Sequence, residues 1–225
     1  MSLYLKVSQR RSAPRLFRAA GLCSCLGIDS AGILCTSAGA DRYMSIYCVK
    51  SYYILVPHVS GISCQGEVLE TGAARPLVDG LRFSLLDWEV ECLITSALSE
   101  ALSSSAITLE HLADSEISTE ELPAAEFSLA STGKSIPLFP DVRYLVGSAA
   151  GCALHLALEG IAPRHCSLMF SNTAIIVAAL DGEVLLDGQA LEGALARQQN
   201  STVTLQPTGV SIRLCFPERS ELLKP

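Results

Sequence analysis

The sequence has no apolar run long enough to cross a membrane as a helix. Hydrophobic residues make up 49% of its 225 positions, but a spanning helix needs about 20 consecutive apolar residues. The longest run, Ala174–Leu180, has the length of a β-strand. The apolar core of a secretory signal peptide is also missing from the N-terminus. We therefore predict that the chain as given is soluble or peripheral to a membrane.

Metal-binding and catalytic patterns are missing as well. The nine cysteines show no paired zinc-type spacing, and their odd number and positions in apolar segments predict reduced, buried thiols. The four histidines form no metal set. His165 and Cys166 are adjacent in a predicted strand, so they point to opposite faces and cannot work as base and nucleophile. The sequence predicts no catalytic residue, no metal ligand, no cofactor and no enzyme activity.

Basic residues are scarce outside the N-terminus. The net charge is −7, yet residues 1–28 contain five basic residues and no acidic one. Such a segment can form a solvated hairpin face, or it can touch an acidic partner, anionic lipid or nucleic acid. The sequence shows no platform of aromatic and basic side chains for stacking bases, so nucleic acid is not predicted as a partner.

The sequence does contain a series of short apolar segments separated by turn residues. Between Tyr144 and Leu191 these segments alternate with Gly, Pro and Asp, as at Asp181-Gly182 and Asp187-Gly188. Apolar segments of about 4–8 residues between turn residues are strand signals. A close series of them predicts an antiparallel β-sandwich.

The same series occurs twice in the chain. When the sequence is aligned with itself at an offset of 122 residues, Arg42-Tyr43 matches Arg164-His165. Leu26-Gly27 matches Val146-Gly147 if the first copy has two residues fewer in the loop. Other turn and apolar positions coincide: Ile54 with Ile176, Gly66–Glu70 with Gly188–Glu192, Leu81 and Phe83 with Val203 and Leu205, and Val90, Cys92 and Ile94 with Ile212, Leu214 and Phe216. This periodicity predicts two copies of one fold.

The two copies are joined by a segment rich in Ser, Ala and Glu. It has a weak helical stripe, and Ser118 and Glu121 match a capping box, but Pro123 would end a helix early. We predict an acidic, solvated linker with at most a short helix. The predicted segments are a divergent sandwich at 1–96, the linker at 97–125, a second sandwich at 126–217 and a tail at 218–225.

The order of turn residues resembles a forkhead-associated (FHA) domain over roughly residues 127–216. Gly147 follows an apolar pair, a small residue stands three positions before His165, and an apolar strand leads to Asp-Gly. The stretches Gly160–His165 and Gly182–Leu191 resemble most the FHA-like cytoplasmic domain of the inner-membrane ring protein of type III secretion systems. The resemblance implies an all-β fold of two tandem FHA-like antiparallel sandwiches and a role in binding other proteins. It also implies a cytoplasmic location, at most peripheral to the inner membrane.

FHA domains read phosphothreonine with residues that this sequence lacks. The family uses an Arg after the first Gly, a Ser three residues before the His, and an Asn in a later turn. The matching positions hold Ser148, Ala162 and Asp187 in the second copy, and Ile28, Ala40 and Gln65 in the first. Asp187 is expected to put a negative charge near the pocket, which would repel phosphate. The resemblance thus implies domains that do not bind phosphothreonine.

The candidate partner-binding loops are those that contain Ser148, Arg164, His165 and Asp187, with Arg42 in the first copy. The resemblance gives His165 chiefly a bracing role, with phosphate contact as the less favoured alternative. Arg164 and its repeat Arg42 are either partner contacts or solvated side chains.

We consider three functions for this sequence. The favoured one is a phosphate-independent adaptor that docks protein partners of a type III secretion apparatus, and the chain is compatible with a homo-oligomer. The alternative is a phosphothreonine-dependent signalling module that uses displaced residues such as Arg164 or Lys134. The third is a hydrolase or transferase on a β scaffold, and no group of candidate catalytic residues in the sequence supports it. Because ring proteins continue into a membrane helix and periplasmic modules, we expect a cytoplasmic fragment or a shortened relative.

Overall fold

Every regular element in the structure, a computed structural model, is a β-strand. The described residues are 2–9, 12–19, 22–29, 34–36, 42–49, 52–95, 108–111, 123, 125–133, 135–171 and 173–216. Within these ranges there is no helix with the length and hydropathy that crossing a membrane requires. The predicted all-β class is confirmed.

The chain divides into two compact units. The first comprises Met1–Thr71 and Pro76–Ile117, and the second comprises Gly72–Arg75 and Ser118–Pro225. The first unit therefore extends beyond the predicted boundary at residue 96 and takes in part of the predicted linker.

The described residues of the first unit form twelve strands in two sheets, of which β9 begins one residue before the boundary at Pro76. The strands are β1 Ser2–Gln9, β2 Arg15–Arg18, β3 Cys23–Ile28, β4 Leu34–Thr36, β5 Arg42–Val49, β6 Tyr52–Pro57, β7 Ile62–Cys64, β8 Glu67–Val68, β9 Arg75–Leu77, β10 Arg82–Leu85, β11 Trp88–Thr95 and β12 Thr108–His111. One sheet has the order β12-β2-β1-β11-β10-β7-β8, and the other has the order β4-β3-β5-β6-β9.

In the second unit, the part of the chain that the structure describes forms eleven strands, again in two sheets. They are β13 Ala125–Leu129, β14 Ser135–Leu138, β15 Arg143–Gly147, β16 Leu154–His155, β17 Cys166–Ser171, β18 Ala174–Ala179, β19 Val184–Leu186, β20 Gln189–Ala190, β21 Ala194–Arg197, β22 Ser201–Leu205 and β23 Val210–Cys215. The sheet orders are β14-β13-β23-β22-β19-β20 and β16-β15-β17-β18-β21.

The strand order of the first unit repeats in the second, apart from the additional strand β12. Registers repeat too: β5 and β6 pair Met44 with Pro57, and β17 and β18 pair Cys166 with Ala179 at the same offset. Leu26 pairs with Met44 as Val146 pairs with Cys166, so the first copy has the shorter loop that the sequence predicted. Two copies of one strand order are confirmed, although β4 pairs antiparallel with β3 whereas β16 pairs parallel with β15.

Two predicted equivalences in this repeat are wrong, that of Leu81 with Val203 and that of Phe83 with Leu205. Phe83 pairs with Val90, whereas Val203 pairs with Ile212, so Phe83 occupies the place of Val203 and not that of Leu205. The cause is the turn between these strands, which has two residues after β10 and four after β22. A constant offset cannot be maintained across turns of different length.

Each unit packs its two sheets face to face. In β1, the alternate residues Leu3, Leu5 and Val7 are fully buried, as a strand with one core face requires. The first core joins residues of both sheets. In the second, the rings of Phe127 from β13 and Tyr144 from β15 meet edge to face with centroids 5.8 Å apart. Burying one such aromatic side chain contributes about 1.5–3 kcal/mol to the stability of the unit. Both units are therefore antiparallel sandwiches with a packed core between their sheets.

The predicted linker contains a strand where the sequence indicated at most a short helix. Strand β12 pairs in parallel with β2, so its backbone hydrogen bonds are made to a sheet and not within a helix turn. The capping box at Ser118 and Glu121 lies outside the described residues, as do the tail and Lys134.

Candidate protein-interaction loops

Three loops meet at one end of the second sandwich. They are residues 148–153, 156–165 and 180–183, and they adjoin because Cys166 pairs with both Val146 and Ala179. The N–H groups of Ser148 and Ala149 donate to the carbonyls of Ala162 and Pro163, at 3.0 and 3.1 Å. Backbone bonds therefore hold the first two loops together.

Two glycines allow these loops to pack so closely. A Cβ atom on Gly147 would lie 2.2 Å from the carbonyl oxygen of Pro163, and one on Gly182 would lie 2.3 Å from the ring of His165. Both contacts are far shorter than atoms tolerate, so a residue without a side chain is needed at each position.

His165 links the second loop to the third. Its side chain is buried at 1% exposure. Nδ1 accepts the N–H of Ala162 at 3.2 Å, so Nε2 carries the ring hydrogen and donates it to the carbonyl of Glu183 at 2.9 Å. Both ring nitrogens are thus engaged within the protein, which is the geometry of a bracing residue.

Ser148 and its neighbours also turn their polar groups inward. The Ser148 hydroxyl donates to the carbonyl of Ile161 at 2.9 Å, and the Cys152 thiol donates to that of Pro163 at 3.2 Å. Nε2 of His155 lies 3.1 Å from the carbonyl oxygen of Ser148. These bonds fix the loop that follows Gly147.

Arg164 is exposed at this end, and it is paired. Its Nε lies 3.6 Å from Oδ2 of Asp181, with both side chains about half exposed. The Asp181 N–H also donates to the Arg164 carbonyl at 3.0 Å. An exposed ion pair contributes about 0–1 kcal/mol, so it stabilises the fold little, but it neutralises the cation.

Asp187 lies elsewhere. With Gly188 it forms the two-residue turn between β19 and β20, at φ +52° and +82°, and β19 separates it from the third loop. Its carboxylate accepts the N–H of Thr202 at 2.8 Å and lies 3.4 Å from Nε of Arg197. The hydrogen bond from Thr202 is the main cause that lowers the pKa of Asp187.

This geometry corrects the expected position of the negative charge. Ser148, Arg164 and His165 come together, whereas Asp187 does not join them. The carboxylate beside Arg164 is that of Asp181, which was predicted only as a turn residue. Asp181-Gly182 is the first of the two Asp-Gly turns after His165, and that order could have identified it.

The first unit repeats the turn but not the histidine brace. Gln65 and Gly66 have φ +52° and +86°, almost the values of Asp187 and Gly188. Arg42 begins β5 and pairs with Gly27 beyond a register shift. Tyr43 takes the place of His165, and Ala40 lies outside the described residues. The two units therefore present different loop ends.

An open cleft of about 570 Å³ lies between the loops of the second unit. Its walls include Ile161, Pro207 and Glu183. Two leucines on the same loops, Leu158 and Leu180, are 50% and 43% exposed. Apolar side chains beside backbone groups and carboxylates suit contact with a protein segment.

Reactive groups are sparse in the part of the chain that is described. No three His, Cys, Asp or Glu side chains there are grouped so that they could hold a metal ion. All nine cysteines are free thiols, and six are buried. Burial raises the pKa of Cys92 and of Cys166 to about 12, so both thiols stay protonated at neutral pH and are weak nucleophiles.

The fold and the loops define an all-β protein of two antiparallel sandwiches, one of which has a braced loop end. Solved structures similar to this chain are FHA domains. That of the CT664 protein from Chlamydia trachomatis is 19% identical, covers 42% of this chain and 96% of its own, and has a TM-score of 0.36. The FHA-1 domain of Rv1747 from Mycobacterium tuberculosis is 13% identical, with 43% and 99% covered and a TM-score of 0.38. The MEK1 FHA domain is 19% identical, with 42% and 91% covered and a TM-score of 0.38.

No family model matches the sequence. No curated protein matches it either.

Proposed function

We propose that this chain is a non-catalytic protein–protein interaction scaffold that binds its partners whether or not they are phosphorylated on threonine. One observation carries the proposal: the polar groups at the loop end of the second unit already have partners within it. Ser148 donates to a carbonyl, both nitrogens of His165 are used, and Arg164 faces Asp181.

A phosphate at this loop end would meet an unfavourable charge balance. It would have to draw Arg164 away from Asp181, and the exposed carboxylates of Asp181 and Glu183 would repel it. Charge-assisted hydrogen bonds are worth roughly 1.5–3 kcal/mol each. Loss of one such bond weakens binding by about tenfold to a hundredfold, so we expect no useful phosphothreonine affinity.

The partners that we propose are cytoplasmic components of a type III secretion apparatus. The support is the resemblance of Gly160–His165 and Gly182–Leu191 to the cytoplasmic domain of the ring protein. In this proposal the sandwiches are residues 1–96 and 126–217. The binding loops are those of Ser148, Arg164 and His165, with Arg42 in the first unit.

The test of phosphate independence is an array of matched peptides, each with threonine and with phosphothreonine, probed with the full chain at moderate salt. We expect equal binding to both forms, and loss of binding in Arg164→Ala. Arg213→Ala, which removes an exposed arginine from strand β23, is the matched control and should bind normally. Low-micromolar binding that disappears on dephosphorylation would instead establish the signalling alternative.

The test of the partner class is site-specific crosslinking in cells that make the apparatus. A photoreactive residue at position 164 should crosslink to a cytoplasmic secretion component that mass spectrometry identifies, and one at position 213 should not. Crosslinks from position 164 only to proteins outside the apparatus would refute the secretion role and leave phosphate independence unaffected.

A further inference from the structure

A strand from the acidic segment lies on the edge of the first unit. Strand β12 pairs with β2 in parallel, with Thr108 opposite Arg15 and His111 opposite Arg18. Among the described strands, β12 is the one addition to the strand order that the two units share. The edge of β2 therefore accepts an extended segment.

The backbone of β2 explains how the edge accepts a strand. Tyr4 pairs with Arg18 in the antiparallel ladder, and the N–H of Ala19 donates to the carbonyl of Leu3 at 3.0 Å. Hydrogen-bonding directions alternate along a strand, so Ala19 and Phe17 face β1. Leu16 and Arg18 then direct their N–H and C=O groups to the other side, where β12 lies.

The second unit provides an internal control. Leu5 pairs with Phe17 in the first unit, and Phe127 pairs with Ile136 at the same place in the second. The next residue along each edge strand is Arg18 in β2 and Pro137 in β14, so these two positions correspond. Proline has no N–H group, and its presence on an edge strand prevents a further strand from pairing. Within the described residues no strand lies beyond β14. The accepting edge is thus a property of the first unit.

Charge also matches the edge to its occupant. Strand β2 lies in the acid-free basic segment 1–28, and its Arg15 is fixed by a 2.8 Å bond to the carbonyl of Leu34 and by the ring of Phe17, 4.8 Å away. The segment 97–125 has six acidic residues and no basic one. Opposite charges on these two segments favour their association at low salt.

We propose that the β2 edge is a docking site for an extended acidic segment of a partner protein, and that β12 is the chain's own strap, which the partner displaces. Strand β12 covers the four residues of β2 in a parallel ladder, and a parallel ladder is slightly less stable per residue than an antiparallel one. An acidic strand that pairs antiparallel with β2 forms the more stable ladder over the same four residues, so exchange favours such a partner. Recognition by strand addition takes affinity from the backbone and selectivity from charge.

The probe is a fluorescent peptide of residues 106–115, AITLEHLADS, titrated against the full chain by anisotropy. Leu109→Pro should release the strap and strengthen peptide binding at least tenfold over wild type. Ala101→Pro, a proline in the same segment outside β12, is the matched control and should behave as wild type. Adding Arg18→Pro, which copies Pro137, should abolish binding to the opened chain. A scrambled peptide should not bind, and raised salt should weaken binding.

Hydrogen exchange gives a test that does not need the Arg18→Pro chain to fold. In Leu109→Pro the amides of Leu16 and Arg18 should exchange at least tenfold faster than in wild type, while those of Phe17 and Ala19 stay protected. The peptide should restore the protection. The proposal would be overturned if the exchange rates of Leu16 and Arg18 were the same in Leu109→Pro and wild type. It would also be overturned if the scrambled peptide bound as well as the native one, or if the wild type bound the peptide as well as Leu109→Pro does. So would a wild-type dimer formed by exchange of β12, since the occupant would then be a second copy.

Discussion

Among single residues, Gly147 is the one on which the loop end of the second unit most depends. A Cβ atom there would meet the backbone oxygen of Pro163 at 2.2 Å, and a backbone oxygen cannot rotate aside. We expect Gly147→Ala to lower the free energy of unfolding by about 3 kcal/mol, at the upper end of overpacking costs, measured by urea denaturation.

Gly133→Ala is the comparison for this prediction. Gly133 has φ +64°, and a Cβ atom added to it would have nothing within 4 Å. Its substitution should therefore cost only about 1 kcal/mol, from the left-handed backbone. Equal costs at the two positions would mean that the close approach at Gly147 does not limit stability.

A second prediction for a single residue concerns Asp187. The hydrogen bond from Thr202 lowers its pKa from the ordinary value of 3.8. Because the folded pKa is below the unfolded one, the carboxylate stabilises the fold above about pH 3.8, and this contribution is lost as the pH falls through the folded value. We expect Asp187→Asn, which tolerates the positive φ, to be less stable than wild type at pH 7.

The measurement is urea denaturation of both proteins from pH 7 to pH 2. The difference should shrink only below pH 3.8. Arg197→Ala should raise the pKa of Asp187, measured by NMR, only in part, because the bond from Thr202 remains. A difference that is constant with pH would show that the charge of Asp187 does not stabilise the fold.

Among the structural elements, the turn between β10 and β11 is strained at Leu86. This residue has φ +51° and is 69% exposed. A left-handed conformation costs a residue such as leucine roughly 1–2 kcal/mol, whereas asparagine adopts it more readily. Leu86→Asn should therefore raise the free energy of unfolding by about 0.5–1 kcal/mol, since little apolar burial is lost.

Leu195→Asn is the control for that gain. Leu195 is also exposed, at 43%, but it lies in strand β21 without a positive φ. Its substitution should give no stabilisation, because asparagine is disfavoured in strands. If both variants gained stability equally, surface hydrophobicity and not turn strain would be the cause.

For the molecule as a whole, the second unit has its own core and both of its sheets. We expect the fragment 118–217 to fold alone and to unfold in one cooperative transition, with a free energy of about 5 kcal/mol. Circular dichroism and urea denaturation would measure this. A fragment with strand content but no cooperative transition would show that the two units form one folding unit.

Local sequence patterns were enough to predict most of the strands and the repeat. Alternation such as that of Leu3, Leu5 and Val7 is a local property, and apolar positions that recur at a constant offset require no knowledge of contacts. The absence of an arginine after Gly147 is likewise visible residue by residue. The all-β class and the two copies could therefore be predicted before any contact was known.

Which residues meet could be learned only from the folded chain. Asp181 and Asp187 stand in similar Asp-Gly turns, and the sequence could not distinguish them, because the difference is which end of β19 each one occupies. The pairing of Phe83 depended on turn length across a hairpin. Strand β12 has no strong pattern of its own, since its conformation is set by the open edge of β2 that it covers. Long-range pairing fixed these features, and it leaves no trace in a short stretch of sequence.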